Sequence, residues 1–509
     1  MTNTLFDGLL SAGLGDPQRR FAVLPDGRSY SYGDVETVSA RFANVLVGLG
    51  LKPGDRVAVQ VEKSIEALML YFGTVRAGGV FLPLNTAYTP AEIDYFLGDA
   101  KPRVFVCDPK KRDALAEVAA RAGAAIETLG VWRSPDESAG SLSDKVLAAS
   151  DRFETVSRGQ EDLAAILYTS GTTGRSKGAM LSHANLLSNA EVLRDAWRFT
   201  AEDVLLHALP IFHTHGLFVA SNTVTIAGGS LIFLPKFDPD AVFEWLPQAT
   251  TMMGVPTFYT RLLDDARLNR DATAHMRLFT SGSAPLLAET HRAFEAATGQ
   301  RILERYGMTE TNMSTSNPYD GERRAGTVGF PLQGTELRIA DPESGKILPG
   351  GEIGVIEVKG PNVFSGYWQM PEKTASEFRA DGFFITGDLG FVDEDGYVTI
   401  VGRGKDLVIT GGYNVYPKEV ELVIDELPGV VESAVIGVPH KDFGEGVVGC
   451  VVAKEPLEEE AVIAALKDKL ARFKQPKRIV FVDELPRNTM GKVQKNVLRE
   501  AYKDLLGGA

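Results

Sequence analysis

The chain has 509 residues, 44% hydrophobic and 24% charged, with a net charge of −14 and two cysteines. Single cores stop growing near ~250–300 residues, so at least two domains are expected. The acidic balance with no long basic run excludes nucleic acid and anionic membrane as general partners, and Cys107 and Cys450 lie too far apart to suggest a zinc site or a disulfide framework.

The opening MTNTLFDGLLSAGLGDPQRR has no basic segment followed by an apolar run. No stretch of about 18 apolar residues follows anywhere, so neither a signal peptide nor a membrane span is expected and the cytoplasm is the default location. Ser31-Tyr32-Gly33-Asp34 looks like a capping box, and Val35, Val38, Phe42, Val45, Leu46 and Leu49 then recur at helical spacing up to Gly50. RVAVQV (56–61) is a strand, a helix is expected near Ile65–Arg76, and VFLPL, a further helix and RVFVCD (103–108) continue the alternation. The rhythm returns in LAAILYTS, VLLHALP, SLIFLP, RLFTSG and RILERYG. Strands alternating with helices imply buried parallel sheet covered on its faces.

After about Thr327 the pattern changes to short strands, ELRIAD, GVIEVKG, LGFVD and YVTIVGR, with Glu394-Asp395-Gly396 as a hairpin turn. From Lys405 the mixture is α+β, with a helix expected near Glu458–Ala471. The expected class is α/β. A large domain of stacked α/β sheets spans 1–404 and includes a β-rich, barrel-like lobe at about 327–404. A small mobile α+β domain spans 405–509, with a hinge at the boundary.

Residues 168–178, YTSGTTGRSKG, follow the strand LAAILY. Ligands of open α/β sheets bind at the C-terminal edge of the strands. Glycines let backbone N–H groups approach an anion, and the hydroxyls and Lys177 add donors and charge, so the loop is suited to phosphate. It is not a Walker A loop, which needs Gly-Lys followed directly by Ser or Thr, because Lys177 stands between Ser176 and Gly178.

In the same order along the chain come YGMTE (306–310), TGD (386–388), GRGKDLVITGGYNVYPKEVE (402–421) and PRNTMGKVQK (486–495). This set resembles the motifs of the adenylate-forming enzymes: acyl-CoA synthetases, luciferases and peptide-synthetase adenylation domains. The resemblance runs from about Ser31 to Tyr502. It implies ATP, Mg²⁺ and coenzyme A as cofactors, and two half-reactions, formation of an acyl-adenylate and displacement of AMP by a thiol. It also implies residue roles. Thr169, Ser170, Gly171, Thr172, Thr173, Gly174 and Lys177 would hold the β- and γ-phosphates. Thr309 would touch the α-phosphate and Glu310 would hold Mg²⁺. Tyr306 and Gly307 would face adenine, with Gly282, Ser283 and Ala284 as the opposite wall. Asp388 would take the ribose hydroxyls, Arg403 would reach the ribose or phosphate, and Lys492 would be the catalytic lysine on a domain pivoting near Lys405. Gly411 and Gly412 would let the pantetheine arm pass, while Lys418, Lys474 and Lys477 suit either CoA phosphates or solvent. Reversible acetylation of Lys492 by a protein lysine acetyltransferase is a further expectation, since it removes a charge that adenylation needs.

The acyl pocket is expected from PIFHTHGL (210–217), GVPTFYTRLL (254–263), SGSAPLL (281–287) and ILERYGMTE (302–310). It offers His213, His215, Arg261, Arg305 and Met308 rather than a purely apolar lining, with Lys236 a weaker candidate. A guanidinium at Arg305 can fork onto a second carboxylate. ERYGMTETNMSTSNPYDGERRAGTVG, FHTHGL and ITGGYNVYPKEVE together resemble the malonyl-CoA synthetases. This implies malonate as substrate, with methylmalonate also accepted. The alternatives are a ligase for another short or medium acid, or a nucleotide-binding regulator without turnover. The joint presence of Lys177, Glu310, Asp388, Arg403 and Lys492 argues against the regulator.

Overall fold

The computed structural model describes residues 2–131, 139–169, 176–411, 413–467, 469–488 and 491–507. Two extended sheets form the large domain. The first has seven strands, ordered Gly366–Tyr367, Lys177–Ser182, Leu163–Thr169, Val80–Pro83, Arg56–Gln60, Val104–Cys107 and Ala125–Thr128. The second has nine, ordered Phe330–Pro331, Asn312–Ser316, Leu303–Met308, Leu278–Ser281, Thr251–Gly254, Val204–His207, Ser230–Phe233, Arg20–Val23 and Ser29–Ser31. The centre of each is parallel, as the uninterrupted apolar strands require.

The helix Ile65–Arg76 explains how the two sheets are joined. Every one of its residues is buried, the state expected of a helix that is apolar on all sides. Its residues share one core with both sheets, including Val57, Phe81, Leu205 and Leu231. The helix Tyr32–Gly48 packs beside it and begins with the expected capping box, Ser31 and Asp34 satisfying each other's backbone N–H groups.

The β-rich lobe is an antiparallel sheet of four strands, Glu336–Ala340, Gly354–Lys359, Phe384–Val392 and Val398–Arg403. Two short strands of this region leave it: Gly366–Tyr367 pairs with Lys177–Ser182 of the first large sheet, and Phe330–Pro331 pairs with Asn312–Ser316 of the second. The lobe is thereby stitched to both large sheets. The small domain is built on the long hairpin Val430–His440 and Gly444–Ala453, extended by Val408–Thr410, Tyr413–Val415 and Arg478–Phe481. The helix expected near Glu458–Ala471 is shorter, Glu459–Leu466. Both cysteines are free and buried, and no helix among the described residues is long and apolar enough to cross a membrane.

Candidate active site

The C-terminal ends of the parallel strands converge on one cleft. Leu163–Thr169 and Lys177–Ser182 form a hairpin, with Thr169 paired to Lys177 at the end where the connecting loop begins. Ser170, Gly171, Thr172, Thr173 and Gly174 lie outside the described residues, as does Gly412. Glu310 follows the strand Leu303–Met308 and is 4% exposed. One of its carboxylate oxygens accepts from Thr169 Oγ1 at 3.3 Å and from Tyr367 Oη at 3.0 Å. The same Tyr367 hydroxyl lies 2.8 Å from Glu377, whose other oxygen is 3.4 Å from Lys177 Nζ. Lys177 itself sits 4.0 Å above the Tyr367 ring. Phosphate-loop lysine, buried carboxylate and the tip of the short strand Gly366–Tyr367 are therefore one network. Sequence reasoning missed Tyr367 and Glu377, which reach it only through that strand crossing from the lobe.

Asp388 and Arg403 face each other across the lobe hairpin, with Arg403 Nε 2.9 Å from Asp388 Oδ1. The other Asp388 oxygen accepts from Tyr306 Oη at 2.6 Å. This bond fixes the Tyr306 ring, which is half-buried. Gly307 is obligatory, because a Cβ there would collide with the Asn312 carbonyl. Opposite, Ser283 takes a left-handed conformation (φ 72°) and its Oγ lies 3.1 Å from His215 Nδ1. Gly282 is buried and Ala284 half-buried beside it. Thr309 and Met308 are half-buried at the strand end.

Arg305 is the unusual group. It is 3% exposed, and its Nε and Nη2 have no hydrogen-bond partner among the described residues. Burial pulls its guanidinium down to about 9. It fills the space left by Gly282, where a Cβ would strike the guanidinium. Burial, reinforced by Arg305 and Lys492, lowers the His213 imidazole to about 4, and His215 falls well below its ordinary value by burial and Arg305. Both rings are neutral donors or acceptors beside the guanidinium. The adjacent Glu304 is held up to about 8 by burial and accepts from Leu286 N at 3.1 Å. Arg261 does not join this group: Tyr259 and Leu262 turn inward on the helix Pro256–Leu263 and leave Arg261 exposed.

Lys492 comes from the small domain. A tight turn, closed by Asn488 N to the Lys492 carbonyl and Lys492 N to Asn488 Oδ1, presents it beside Gly491 (φ 74°). Gly491 packs against Thr257 at the start of the helix Pro256–Leu263, so the lysine loop is docked on the large domain. Burial, then Arg403, lowers the Lys492 ammonium to about 8, while Asp388 opposes the shift. Lys492 thus stands between the Asp388–Arg403 pair and the His213–Arg305 pocket. Gly411 (φ 58°) is exposed, its amide bonded to the Phe443 carbonyl at 2.8 Å. Lys405 is also exposed at the domain boundary.

A buried carboxylate linked to hydroxyls, a tyrosine bonded to Asp388 and a lysine from the small domain lie together here. A family model for AMP-binding enzymes matches residues 12–368, and one for the C-terminal domain of AMP-binding enzymes matches residues 419–492. The chain belongs to the AMP-binding enzyme family. Among members of that family, a malonate–CoA ligase of Arabidopsis thaliana is 34% identical over 95% of this chain and 86% of its own. A sulfoacetate–CoA ligase of Cupriavidus necator is 35% identical over 94% of each chain. ATP-bound MatB from Rhodopseudomonas palustris is 63% identical over 99% of this chain and 100% of its own, with a TM-score of 0.96. The apo form of MatB covers the same shares at 63% identity with a TM-score of 0.86. At equal identity, this AMP-binding enzyme superimposes more closely on the ATP-bound form.

Proposed function

We propose that this chain is an ATP-dependent malonate–CoA ligase, converting malonate, ATP and CoA into malonyl-CoA, AMP and pyrophosphate through a malonyl-adenylate. The observation that carries this reading is Arg305, a buried guanidinium beside His213 and His215 with two nitrogens that have no hydrogen-bond partner among the described residues. Such a group is costly unless an anion completes it. A pocket for a simple fatty or aromatic acid has no use for it. Malonate and sulfoacetate, the acids named for two relatives, both carry a second anionic group next to the reacting carboxylate. Methylmalonate fits the same polar contacts with one added methyl, worth ~1–3 kcal/mol in a pocket.

In the first step a malonate oxygen attacks the α-phosphorus, the bond to the bridging oxygen breaks, and pyrophosphate leaves. Arg305 and His213 hold the distal carboxylate. Lys492 neutralises the approach of carboxylate to phosphate, and Thr309 donates to the α-phosphate. Tyr306 and the Gly282–Ala284 wall hold adenine, and Asp388 and Arg403 the ribose. Lys177, Thr169 and the loop 170–174 hold the leaving pyrophosphate, acting where negative charge accumulates. Glu310 fits a hard divalent cation: it is a buried carboxylate flanked by hydroxyls, and no described cluster of three or more metal-binding groups exists to hold an ion without phosphate oxygens. Mg²⁺ there would offset phosphate charge.

In the second step the CoA thiolate attacks the malonyl carbonyl and AMP departs. The small domain turns about Lys405 and brings Gly411 and Gly412 to the thiol tunnel. We place the enzyme in the cytoplasm. We also propose that a protein lysine acetyltransferase silences adenylation at Lys492; full pyrophosphate exchange by protein acetylated there would sink that idea.

The test is ATP–pyrophosphate exchange with malonate, methylmalonate, acetate, succinate and octanoate, followed by thioester formation with CoA. Malonate is expected to dominate, with methylmalonate second. Preference for octanoate or acetate would leave the chemistry and overturn the substrate.

A further inference from the structure

Lys63 is a half-buried lysine that none of the roles above uses, and burial holds its ammonium well below the ordinary value. It immediately precedes Ser64, the cap of the all-buried helix Ile65–Arg76, and so lies at the unfavourable, positive end of a helix dipole. No carboxylate pairs with it among the described residues. Glu66, in the first turn of that helix, turns instead to Arg28 at 3.5 Å. Lys63 Nζ donates to His207 Nδ1 at 2.9 Å and to the His207 carbonyl at 2.8 Å, and it sits 4.3 Å above the Phe233 ring. Two bases in contact, with no acid between them, call for an explanation.

His207 ends the strand Val204–His207 of the nine-stranded sheet, and Lys63 follows the strand Arg56–Gln60 of the seven-stranded sheet. Their contact ties the two sheets together at the edge where the site lies. It also fixes the imidazole. Charged or neutral, Nζ has N–H bonds to donate to both His207 Nδ1 and the His207 carbonyl, so Nδ1 accepts and the ring proton sits on Nε2. Nε2 points at the Gly216 carbonyl, 2.8 Å away, which can only accept. Both ends therefore demand the same tautomer. Ser221 Oγ donates to that same carbonyl at 2.9 Å.

Gly216 belongs to the π-helix His215–Asn222, whose first residue reaches Ser283 and whose preceding turn carries His213. Backbone freedom there is already small, because a Cβ on Gly216 would collide with the Pro210 carbonyl. A π-helix is a costly local geometry, commonly found at functional sites.

We propose that Lys63 and His207 are positioning residues for the acid: Lys63 sets the His207 tautomer, and His207 anchors the Gly216 carbonyl so that His213 and His215 stand at fixed positions beside Arg305. This rests on the reading that the Arg305 pocket receives the carboxylic acid.

The test is acid-dependent pyrophosphate exchange by Lys63→Met, Lys63→Arg, His207→Asn and His207→Gln, using whichever acid the wild type adenylates fastest. Lys63→Met and His207→Asn should raise KM for the acid about tenfold, the scale of a lost buried hydrogen bond, with KM for ATP unchanged. His207→Asn keeps an acceptor for Lys63 but loses the reach to Gly216. His207→Gln keeps that donor and should be milder. Lys63→Arg retains N–H donors and should recover most of the acid KM. If acid and ATP KM values rise together, or only the melting temperature falls, the pair is general scaffold and the proposal is overturned. Should Lys63→Met fail to fold, Ser221→Ala removes the second donor to Gly216: a rise in acid KM alone supports the brace, and an unchanged value overturns it. A wild type that prefers octanoate refutes the malonate reading, while the brace is still judged on the octanoate KM.

Discussion

Replacing Arg305 by alanine should convert a dicarboxylate site into a weak, unselective one. The group is almost wholly out of water, and two of its nitrogens make no bond that malonate would have to displace. Truncating one partner of a buried, hydrogen-bonded charge pair costs about 2–5 kcal/mol, roughly 30- to several-thousand-fold. The burial that pulls the guanidinium to about 9 still leaves it charged near neutral pH. The upper half of the range is therefore expected, about 400-fold or more in malonate kcat/KM. Acetate never engages the guanidinium, so its slow exchange should change by less than about threefold and the malonate-to-acetate ratio should collapse. Arg305→Lys keeps a charge but not the planar fork, and should fall between. The assay is pyrophosphate exchange with both acids at fixed ATP. Equal losses for malonate and acetate would refute the reasoning, because they would mean that Arg305 supports the pocket wall rather than reading the second carboxylate.

Gly282→Ala should imitate that change from the other side, since the new Cβ would push the guanidinium out of place; retention of malonate selectivity in the variant would count against the packing argument. Lys492 has its ammonium lowered to about 8, by burial first and Arg403 second, and the protonated form is the one adenylation uses. Malonate kcat/KM should thus fall as pH rises through about 8, and a Lys492→Arg variant should lose that limb; an unbroken plateau to about pH 9.5 in the wild type would contradict it. Glu304 is held up to about 8 by burial, against a free value near ~4.3. Its contribution is fully present below the unfolded value and is lost as pH rises through the folded one, because only the unfolded chain ionises freely between them. Glu304→Gln should therefore gain stability over wild type progressively from about pH 5 to pH 8 in denaturant titrations, and a pH-independent difference would rule the linkage out.

The features legible in the sequence are those set by neighbours along the chain. The Ser31 cap needs only Asp34, three residues on, and the strands announce themselves by apolar runs between turns. The helix at 65–76 was visible as a segment, but its burial on every side depends on sheets contributed by residues 56 to 233. The same limit governs the site. Glu310, Asp388 and Lys492 stand out because their flanking residues form recognisable strings. Tyr367, Glu377, Lys63 and His207 carry no such string. Each becomes part of the site through a contact between distant elements, such as the short strand that crosses from the lobe to pair with Lys177–Ser182. Arg261 is separated from Arg305 for a related reason: the phase of a short helix, set by Tyr259 and Leu262 turning inward, leaves Arg261 exposed.

The contacts around the domain boundary also restrict where motion can occur. On one side Arg403 is held by Asp388, its register partner in the lobe hairpin. On the other, Asp406 is paired with Arg499 on the C-terminal helix Lys495–Tyr502, and Lys495 of that helix is paired with Glu421. Both pairs lie wholly within one domain and travel with it. Between them remain Gly404 and Lys405, both exposed. A rotation that carries Lys492 away from the pocket and Gly411 toward it must be absorbed by the backbone at these two positions. Such a turn must also part Tyr416 from the lobe core of Ala340, Val355, Leu389 and Val401 and Gly491 from Thr257. The charges around Lys492 do not supply the hold, because burial and Arg403 together outweigh Asp388 and lower its ammonium to about 8. In the function proposed above, nucleotide phosphate would supply the missing anion, and departure of pyrophosphate would weaken that hold before the second step.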